Sequence, residues 1–299
     1  MACLVVGATG VVGGQIALGL RERSAPVRAL VRGASHPKRQ ALTDAGIEIA
    51  EGDLTLPETL DAACRGAEVV ITTATSMPTG ANDGLRRVDL EGTMALIAAA
   101  ERARVRKFVY VSYSGNLNEP SPLGLAKRSC EVRLKDSPMQ TVILRPSFFT
   151  EVWIGPALGF DVRNGKARIY GPGTAKVSYI SAFDVAAFGV AAATQDQEAK
   201  TTVLELGGPD ALSQLDVVAI FQQAPGRTMA LEFVPIEALQ AQVGAPDPLQ
   251  ATFAALTLAY AKGDMIEDAN GVAERHGVKL RSVAQFASEV AARQSSNAG

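Results

Sequence analysis

The chain has 299 residues, of which 47% are hydrophobic and 20% are charged, and its formal net charge is −2. This composition supplies enough apolar material for one large folded unit or two lobes, while the near-neutral charge gives no electrostatic attraction for nucleic acid or an anionic membrane. No apolar run reaches membrane-spanning length, no signal peptide precedes the first strand, and three cysteines with two histidines form no metal-ligand cluster. We therefore expect a reduced, cytoplasmic, metal-free protein without nucleic-acid or membrane partners.

The first half of the chain alternates between two kinds of segment. Apolar, β-branched-rich runs predict strands at 3–7, 27–32, 47–53, 68–75, 107–113 and 141–146. Helical patterns lie between them, most clearly at 14–23, 56–64, 90–103 and 125–136. Strands that alternate with helices of this length pair in parallel through right-handed crossovers. The sequence thus predicts an α/β fold with a doubly wound, parallel Rossmann sheet.

The regular alternation of strands and helices ends after residue 146. Further strands are predicted at 164–174, 201–209 and 229–234, with helices at 181–194, 213–222, 236–242, 248–262 and 282–294. We predict a Rossmann domain over 1–152 and a smaller, helix-rich lobe over 153–299, with 181–207 returning to the sheet. The lobe is expected over the carboxyl edge of the sheet, where open α/β sheets bind ligands.

The stretch GATGVVGG, at 7–14, connects the first strand to the first helix. Gly7 permits a tight turn, Gly10 lets the backbone approach a pyrophosphate, and Gly13 allows close packing of helix on strand. The first glycine gap is one residue longer than in the dinucleotide fingerprint of dehydrogenases. The context favours a dinucleotide-binding turn; the alternative is a glycine turn without a ligand.

The end of the second strand indicates which dinucleotide binds. An NAD-binding domain places a carboxylate there for the ribose 2′-hydroxyl, but this chain has LVRGASHPKR, with Arg32 directly after the strand. A charge-assisted hydrogen bond from Arg32 to a 2′-phosphate would favour NADP(H) over NAD(H) by about 10- to 150-fold. The alternative is an ordinary basic surface loop.

Several motifs in order resemble the atypical, NmrA-like branch of the short-chain dehydrogenase/reductase superfamily. They are GATGVVG, LVR (30–32), GDL (52–54), TTAT (72–75), VSYSG (111–115), LRPSFF (144–149) and YISAFDVA (179–186). The resemblance covers most of the chain and implies that Asp53 lies near the adenine and that Ser112 is the active-site serine. Together with the glycine turn it implies these cofactor-binding residues: Gly7, Thr9, Gly10, Val11, Val12, Gly13, Arg32, Asp53, Leu54, Thr73, Ala74, Thr75, Lys127, Pro146 and Phe148.

The catalytic pair of the superfamily, Tyr-x-x-x-Lys, is incomplete in this chain. Lys127 matches the lysine, with Glu131 one turn later, but the tyrosine position holds Leu123. General acid catalysis contributes about 10²–10⁴ in rate, so simple ketone reduction should be poor. Tyr113 could replace the acid only if the strand ends before it, because adjacent strand residues point to opposite faces. We take Lys127, Ser112 and Tyr113 as catalytic candidates; the alternative for Lys127 is a solvated surface lysine.

An aromatic segment follows the turn at 144–149. Ligand pockets are typically apolar and aromatic with a few polar groups, and Glu151 and Tyr170 could supply such groups. We predict that the substrate contacts Phe149, Trp153, Phe160 and Tyr170. The alternative is that the rings form the core between the lobes.

Two functions are consistent with these features. The first is an NADPH-dependent reductase, monomeric or homodimeric, that transfers hydride to a hydrophobic, conjugated small molecule such as a quinone, an activated alkene or an azo or imine compound. Delocalisation of the developing charge in such acceptors reduces the need for a proton donor. The second is a non-catalytic NADP(H)-binding redox sensor that acts through a protein partner.

Overall fold

The computed structural model describes residues 1–33, 35–77, 83–196, 198–223 and 228–296, and for residues 295 and 296 it describes the backbone alone. Its central feature is a parallel sheet of seven strands in the order β10-β6-β5-β4-β1-β2-β3. The strands are β1 (Cys3–Val6), β2 (Val27–Val31), β3 (Glu48–Glu51), β4 (Val69–Thr72), β5 (Lys107–Val111), β6 (Gln140–Pro146) and β10 (Thr201–Leu206). The predicted α/β fold with a doubly wound sheet is confirmed.

Helices cover both faces of the main sheet. One face packs against α1 (Val11–Glu22), α2 (Arg39–Asp44), α7 (Ala182–Thr194) and α11 (Ala269–His276). The other packs against α3 (Leu60–Cys64), α4 (Thr93–Arg102) and α5 (Pro122–Lys135). Both faces are therefore apolar, which explains why the strands read as continuous hydrophobic runs. The sequence patterns missed α2 and α11.

A π-helix over Leu85–Gly92 leads directly into α4. The sequence pattern placed a single helix at 90–103, so the real helical segment begins earlier and has a widened first part. π-Helical segments are rare in proteins, and those that occur are often located at functional sites. This one packs against α5, which carries Lys127.

The second lobe combines small sheets with helices. One sheet has the order β12-β8-β7, with β7 (Phe160–Asp161), β8 (Lys166–Tyr170) and β12 (Ala230–Val234); the other pairs β9 (Lys176–Val177) with β11 (Leu212–Ser213). The helices are α6 (Thr150–Trp153), α8 (Gln214–Gln222), α9 (Ile236–Gln240), α10 (Pro248–Lys262) and α12 (Val283–Ser296). These elements enclose a hydrophobic core of their own. None of the helices among the described residues is long and apolar enough to cross a membrane.

Candidate functional site

The glycine turn between β1 and α1 leaves room for a ligand to approach the N-terminus of α1. Gly7 has φ +91°, in the left-handed region that favours glycine. A Cβ on Gly13 would lie 2.3 Å from the Gly7 carbonyl oxygen, so only glycine fits there. The N-cap, Gly10, offers no side-chain cap, and the first turn of α1 has no acidic residue. The first backbone N–H groups of α1 are thus left for an anion.

The cationic side chains that follow β2, in the loop and at the start of α2, differ in the groups that they already contact. Arg32 is exposed and makes no ion pair or hydrogen bond with any residue that the structure describes. Lys38 Nζ donates to the Thr9 carbonyl oxygen at 2.7 Å, which ties this loop to the glycine turn. Arg39 pairs with Glu51 at 2.9 Å. Arg32 is therefore the cation of this loop that remains available to a ligand.

Five other predicted cofactor contacts follow strands of the same sheet, at Asp53, Leu54, Thr73, Ala74 and Thr75. The Thr73 N–H donates to the Val6 carbonyl oxygen at 3.0 Å, beside the glycine turn. Asp53 is half-buried, and its Oδ1 accepts hydrogen bonds from the Thr55 N–H and hydroxyl at 2.8 and 2.9 Å. Leu54 is buried against Gly92 in the π-helix. Ala74 and Thr75 continue the segment after β4, and the residues that follow, 78–82, lie outside the described part.

Lys127 is a buried lysine, with 6% of its surface exposed. Its Nζ donates one hydrogen bond, to the Val111 carbonyl oxygen at 3.1 Å, and lies 5.1 Å from the ring centre of Tyr110. The other N–H donors of this ammonium have no partner in the described chain. Burial lowers the pKa of Lys127, and the nearby carboxylate of Asp89 opposes this shift. A buried ammonium with spare donors at the carboxyl end of β5 fits a polar ligand there.

Asp89 belongs to this site although the sequence reasoning did not select it. It is 1% exposed, and its Oδ2 accepts hydrogen bonds from the Ser76 N–H and hydroxyl at 2.9 and 2.8 Å. Its Oδ1 is buried without a hydrogen-bond partner among the described residues. The available signal was a carboxylate at helical spacing from Leu85 and Gly92, just before the helix predicted at 90–103.

Ser112 is held by a buried ionic network. Its hydroxyl donates to Glu131 Oε1 at 2.6 Å, and the same carboxylate is paired with Arg128 and Arg145. Arg145 also pairs with Glu205 at 2.9 Å. Burial disfavours the charged carboxylate, but hydrogen bonds from Arg145 and Ser112 outweigh it and keep the pKa of Glu131 below its usual range. The Ser112 proton is thus directed away from a ligand.

Tyr113 lies beyond the end of its strand, because β5 ends at Val111. Its ring packs under the guanidinium of Arg128, whose carbon is 4.6 Å from the ring centre. A Cβ on Gly124 would lie 2.6 Å from the phenolic oxygen. That hydroxyl has no hydrogen-bond partner in the described residues, and burial raises its pKa.

The aromatic residues after β6 are mostly core residues in this structure. Phe148, Trp153, Phe160 and Tyr170 are all buried. Trp153 lies 4.6 Å from Phe148 and 4.5 Å from Tyr260 between ring centres. The Tyr170 hydroxyl donates to the Leu158 carbonyl oxygen at 3.1 Å. This packing matches the alternative reading of an internal core, and a substrate role for these rings stays a prediction.

Three other predicted contact residues lie at the end of β6 or just after it. Pro146 is buried at the end of β6, and Phe149 is half-buried and packs toward the core of the main sheet. The carboxylate of Glu151 accepts hydrogen bonds from the Ser181 hydroxyl and the Ala182 N–H, at 2.5 and 2.9 Å. Glu151 therefore stabilises the start of α7 in this structure.

Known proteins resemble the chain over most of its length. The model of the NmrA-like family matches residues 2–287. An NAD(P)H azoreductase of Xenophilus azovorans is 32% identical over 81% of this chain and 80% of its own length. The photosystem II assembly factor Ycf39 of Trieres chinensis is 31% identical over 79% of this chain and 73% of its own. An NADPH-dependent quinone oxidoreductase of Escherichia coli has the same fold, with a TM-score of 0.79 and 22% identity over 97% of this chain and 99% of its own. The chain thus belongs to the NmrA-like family.

Proposed function

We propose that the protein is an NADPH-dependent reductase that acts on a hydrophobic, conjugated small molecule. The observation that carries the proposal is the buried ammonium of Lys127. It has spare donors at the carboxyl end of β5, on the same sheet edge as the glycine turn. Relatives named an NAD(P)H azoreductase and an isoflavone reductase homolog support the reaction class. Solved structures with the same fold include quinone and triphenylmethane reductases with NADPH or NADP(H) bound.

The residues of this edge fit the cofactor. The N-terminus of α1, with Gly7, Gly10 and Gly13, would hold the pyrophosphate. Arg32, uncommitted within the described chain, would pair with the 2′-phosphate and set the preference for NADPH. The spare N–H donors of Lys127 would satisfy the hydroxyls of the ribose next to the nicotinamide.

When bound, NADPH supplies a hydride. The chain contributes orientation and charge at the place where that hydride is received. Lys127 stabilises negative charge that develops on the acceptor, and its low-dielectric surroundings strengthen that interaction. Glu131 keeps the Ser112 hydroxyl fixed through a hydrogen bond of 2.6 Å, so Ser112 shapes the site and leaves proton donation to another group.

The test is transfer of label from 4-deuterated NADPH to a panel of quinones, enones, azo dyes and ketones. We expect deuterium in a conjugated acceptor and its loss in Lys127→Ala. Lys135→Ala is the matched control, since Lys135 is exposed at the end of the same helix. Tight NADPH binding without label in any acceptor would contradict the proposal.

A sensor function is the second candidate. It is favoured by the similarity to a photosystem II assembly factor and by the close packing of the rings predicted to contact a substrate. In that case NADPH would bind with micromolar or better affinity and no acceptor would be reduced. Isothermal titration with NADPH and NADP⁺, run beside the label transfer, separates the two functions.

A further inference from the structure

We propose that Tyr113 is the proton donor of this reductase, so that its substrates include acceptors that must be protonated as they receive the hydride. The inference rests on the proposed function and adds to it a specific acid. It is carried by the position of one phenol, directly after the strand whose carboxyl end holds Lys127.

The backbone allows Tyr113 to reach the site. While a strand continues, neighbouring side chains point to opposite faces, and Ser112 points to the face that carries Glu131 on α5. The strand ends at Val111, and the Tyr113 ring turns to the same helix, between Gly124 and Arg128. Ser112 and Tyr113 therefore both face α5, although they are adjacent in sequence.

The other proton-bearing groups of the site are less suited to this task. The Ser112 hydroxyl donates to a buried carboxylate at 2.6 Å. The Lys127 ammonium donates to the Val111 carbonyl oxygen at 3.1 Å, and its spare donors are assigned to the cofactor ribose. The Tyr113 hydroxyl has no hydrogen-bond partner among the described residues, and a phenol carries its proton at neutral pH. An uncommitted donor at a ligand-binding edge is available to a substrate atom.

Gly124 and Arg128 position this phenol. At Gly124 any side chain would start 2.6 Å from the phenolic oxygen, so glycine makes room for the hydroxyl against the first turn of α5. The Arg128 guanidinium over the ring, 4.6 Å from its centre, would stabilise the phenolate left after proton transfer. Glu131, the other charged group near the ring, is neutralised by Arg128 and Arg145.

The proposed reduction transfers one hydride and one proton to the acceptor. A hydride from NADPH adds to one atom of a C=O, conjugated C=C or N=N unit, and the π electrons move to the partner atom. That atom takes the proton of Tyr113, and the phenolate then takes a proton from water. The products are NADP⁺ and the two-hydrogen reduced acceptor.

A comparison of acceptors tests the proton transfer. A cationic triarylmethane dye accepts a hydride without needing a proton, whereas an azo dye or a quinone needs one. We expect Tyr113→Phe to lower kcat for the azo dye and the quinone by about a hundredfold or more, with unchanged NADPH affinity and an unchanged rate on the cationic dye. Equal rates of wild type and Tyr113→Phe on all acceptors would overturn the role of Tyr113. No reduction by the wild type of any acceptor would overturn the proposed function itself.

A second variant gives a readout without turnover. In the cofactor-free protein with ¹³Cζ-labelled tyrosine, the Tyr113 resonance is assigned by its loss in Tyr113→Phe. Gly124→Ala should displace the phenol, shift that resonance and reduce azo-dye turnover, and combining both substitutions should be no worse than Tyr113→Phe alone. A Gly124→Ala protein whose Tyr113 resonance and azo-dye rate match the wild type would contradict the proposed position of the phenol.

Discussion

Arg32, in the loop after β2, and Arg39, the first residue of α2, differ in what they already contact. Arg39 is paired with Glu51 at 2.9 Å, whereas Arg32 has no partner among the described residues. The charge of Arg39 is already compensated by a carboxylate, so its guanidinium has less to gain from a phosphate. Discrimination between the two dinucleotides should therefore depend on Arg32.

Arg32→Ala should raise the Kd of NADPH by about 10- to 150-fold, because it removes a charge-assisted hydrogen bond to the 2′-phosphate. The Kd of NADH should stay the same. Fluorescence titration with both dinucleotides measures this, with Arg39→Ala as the control. A similar loss of NADPH affinity in both variants would mean that the whole loop, rather than Arg32, recognises the phosphate.

Burial of the Lys127 ammonium costs free energy because the charge loses its hydration. Replacing Lys127 by an uncharged residue should therefore change how the stability of the protein depends on pH. Burial lowers its pKa in the folded chain, so the unfolded chain holds this proton up to higher pH. The contribution of Lys127 to the free energy of unfolding should therefore rise with pH between the folded pKa and the unfolded value of about 10.4. In Lys127→Met that rise should be absent, as measured by urea unfolding of the cofactor-free protein at pH 7 and 9.5.

At the scale of elements, the packing of α1 against the turn after β1 requires glycine at one position more strictly than at its neighbour. A Cβ at Gly13 would lie 2.3 Å from the Gly7 carbonyl oxygen, whereas one at Gly14 would lie 3.1 Å from the Ala8 carbonyl oxygen. The first contact involves backbone on both sides and cannot relax by a rotamer change. The second requires only a shift of a few tenths of an ångström.

Gly13→Ala should destabilise the protein by about 1–3 kcal/mol, since a side chain is forced into a filled space, and should abolish tight NADPH binding. Gly14→Ala should change the stability by less, because better helix propensity of roughly 1 kcal/mol offsets the tighter contact. Urea unfolding and NADPH titration of both variants test this. Equal stability of the two would show that the turn can rearrange.

The start of α7 is linked to the C-terminal part of the chain through Asp184. This buried carboxylate accepts the Arg281 N–H at 2.8 Å, and burial raises the pKa of Asp184 to about 6. The folded chain therefore binds this proton more tightly than the unfolded chain, whose value is about 3.9. The contribution of Asp184 is most favourable below the unfolded value and is lost as the pH rises toward 6.

Asp184→Asn should remove this loss, because an amide keeps an acceptor for the Arg281 N–H without a charge. The stability of the variant relative to the wild type should improve by about 2 kcal/mol between pH 4 and pH 7. Chemical unfolding at both pH values measures the difference. A constant difference across this range would exclude Asp184 as the titrating group.

Sequence patterns predicted the elements better than the contacts between them. The apolar runs located every strand of the main sheet, because strands buried on both faces are continuously hydrophobic. The predicted runs 68–75 and 107–113 extended past Thr72 and Val111, where the chain leaves the sheet edge to form the site. The glycine turn was indicated by its local spacing and Lys127 by the family resemblance, and the roles of both stay predictions.

The network around Glu131 could not be read in the same way. It depends on the register that sets Arg145 beside Glu205 and on the rotation of α5, and neither is encoded locally. The burial of Trp153 among Phe148 and Tyr260 likewise follows from the packing of α10. Aromatic composition alone is equally compatible with a pocket and with a core.

At the scale of the whole molecule, the core of the main sheet, which has a cluster on each face, and the core of the second lobe are connected by repeated crossings of the chain. The path leaves the main sheet after β6, returns for α7 and β10, leaves again and comes back for α11. Partial unfolding of one lobe would therefore disturb strands and helices of the other. We expect the two cores to unfold together.

Trp153, the single tryptophan, reports on the second core, while far-ultraviolet circular dichroism reports on the whole chain. The two thermal transitions should coincide, and NADPH at a hundred times its Kd should stabilise both by about 2.7 kcal/mol. A tryptophan transition that precedes the other and ignores NADPH would show that the lobes unfold independently.

The late arrival of β10 also has a consequence during protein synthesis. The edge of β6 pairs with Thr201–Leu206, which the ribosome makes only after the chain has already entered the second lobe. Until those residues emerge, the nascent sheet carries an open, apolar edge of the kind that recruits strands from other chains. Translation between residues 146 and 206 is thus the interval in which the growing polypeptide is most exposed to aggregation and most dependent on chaperones.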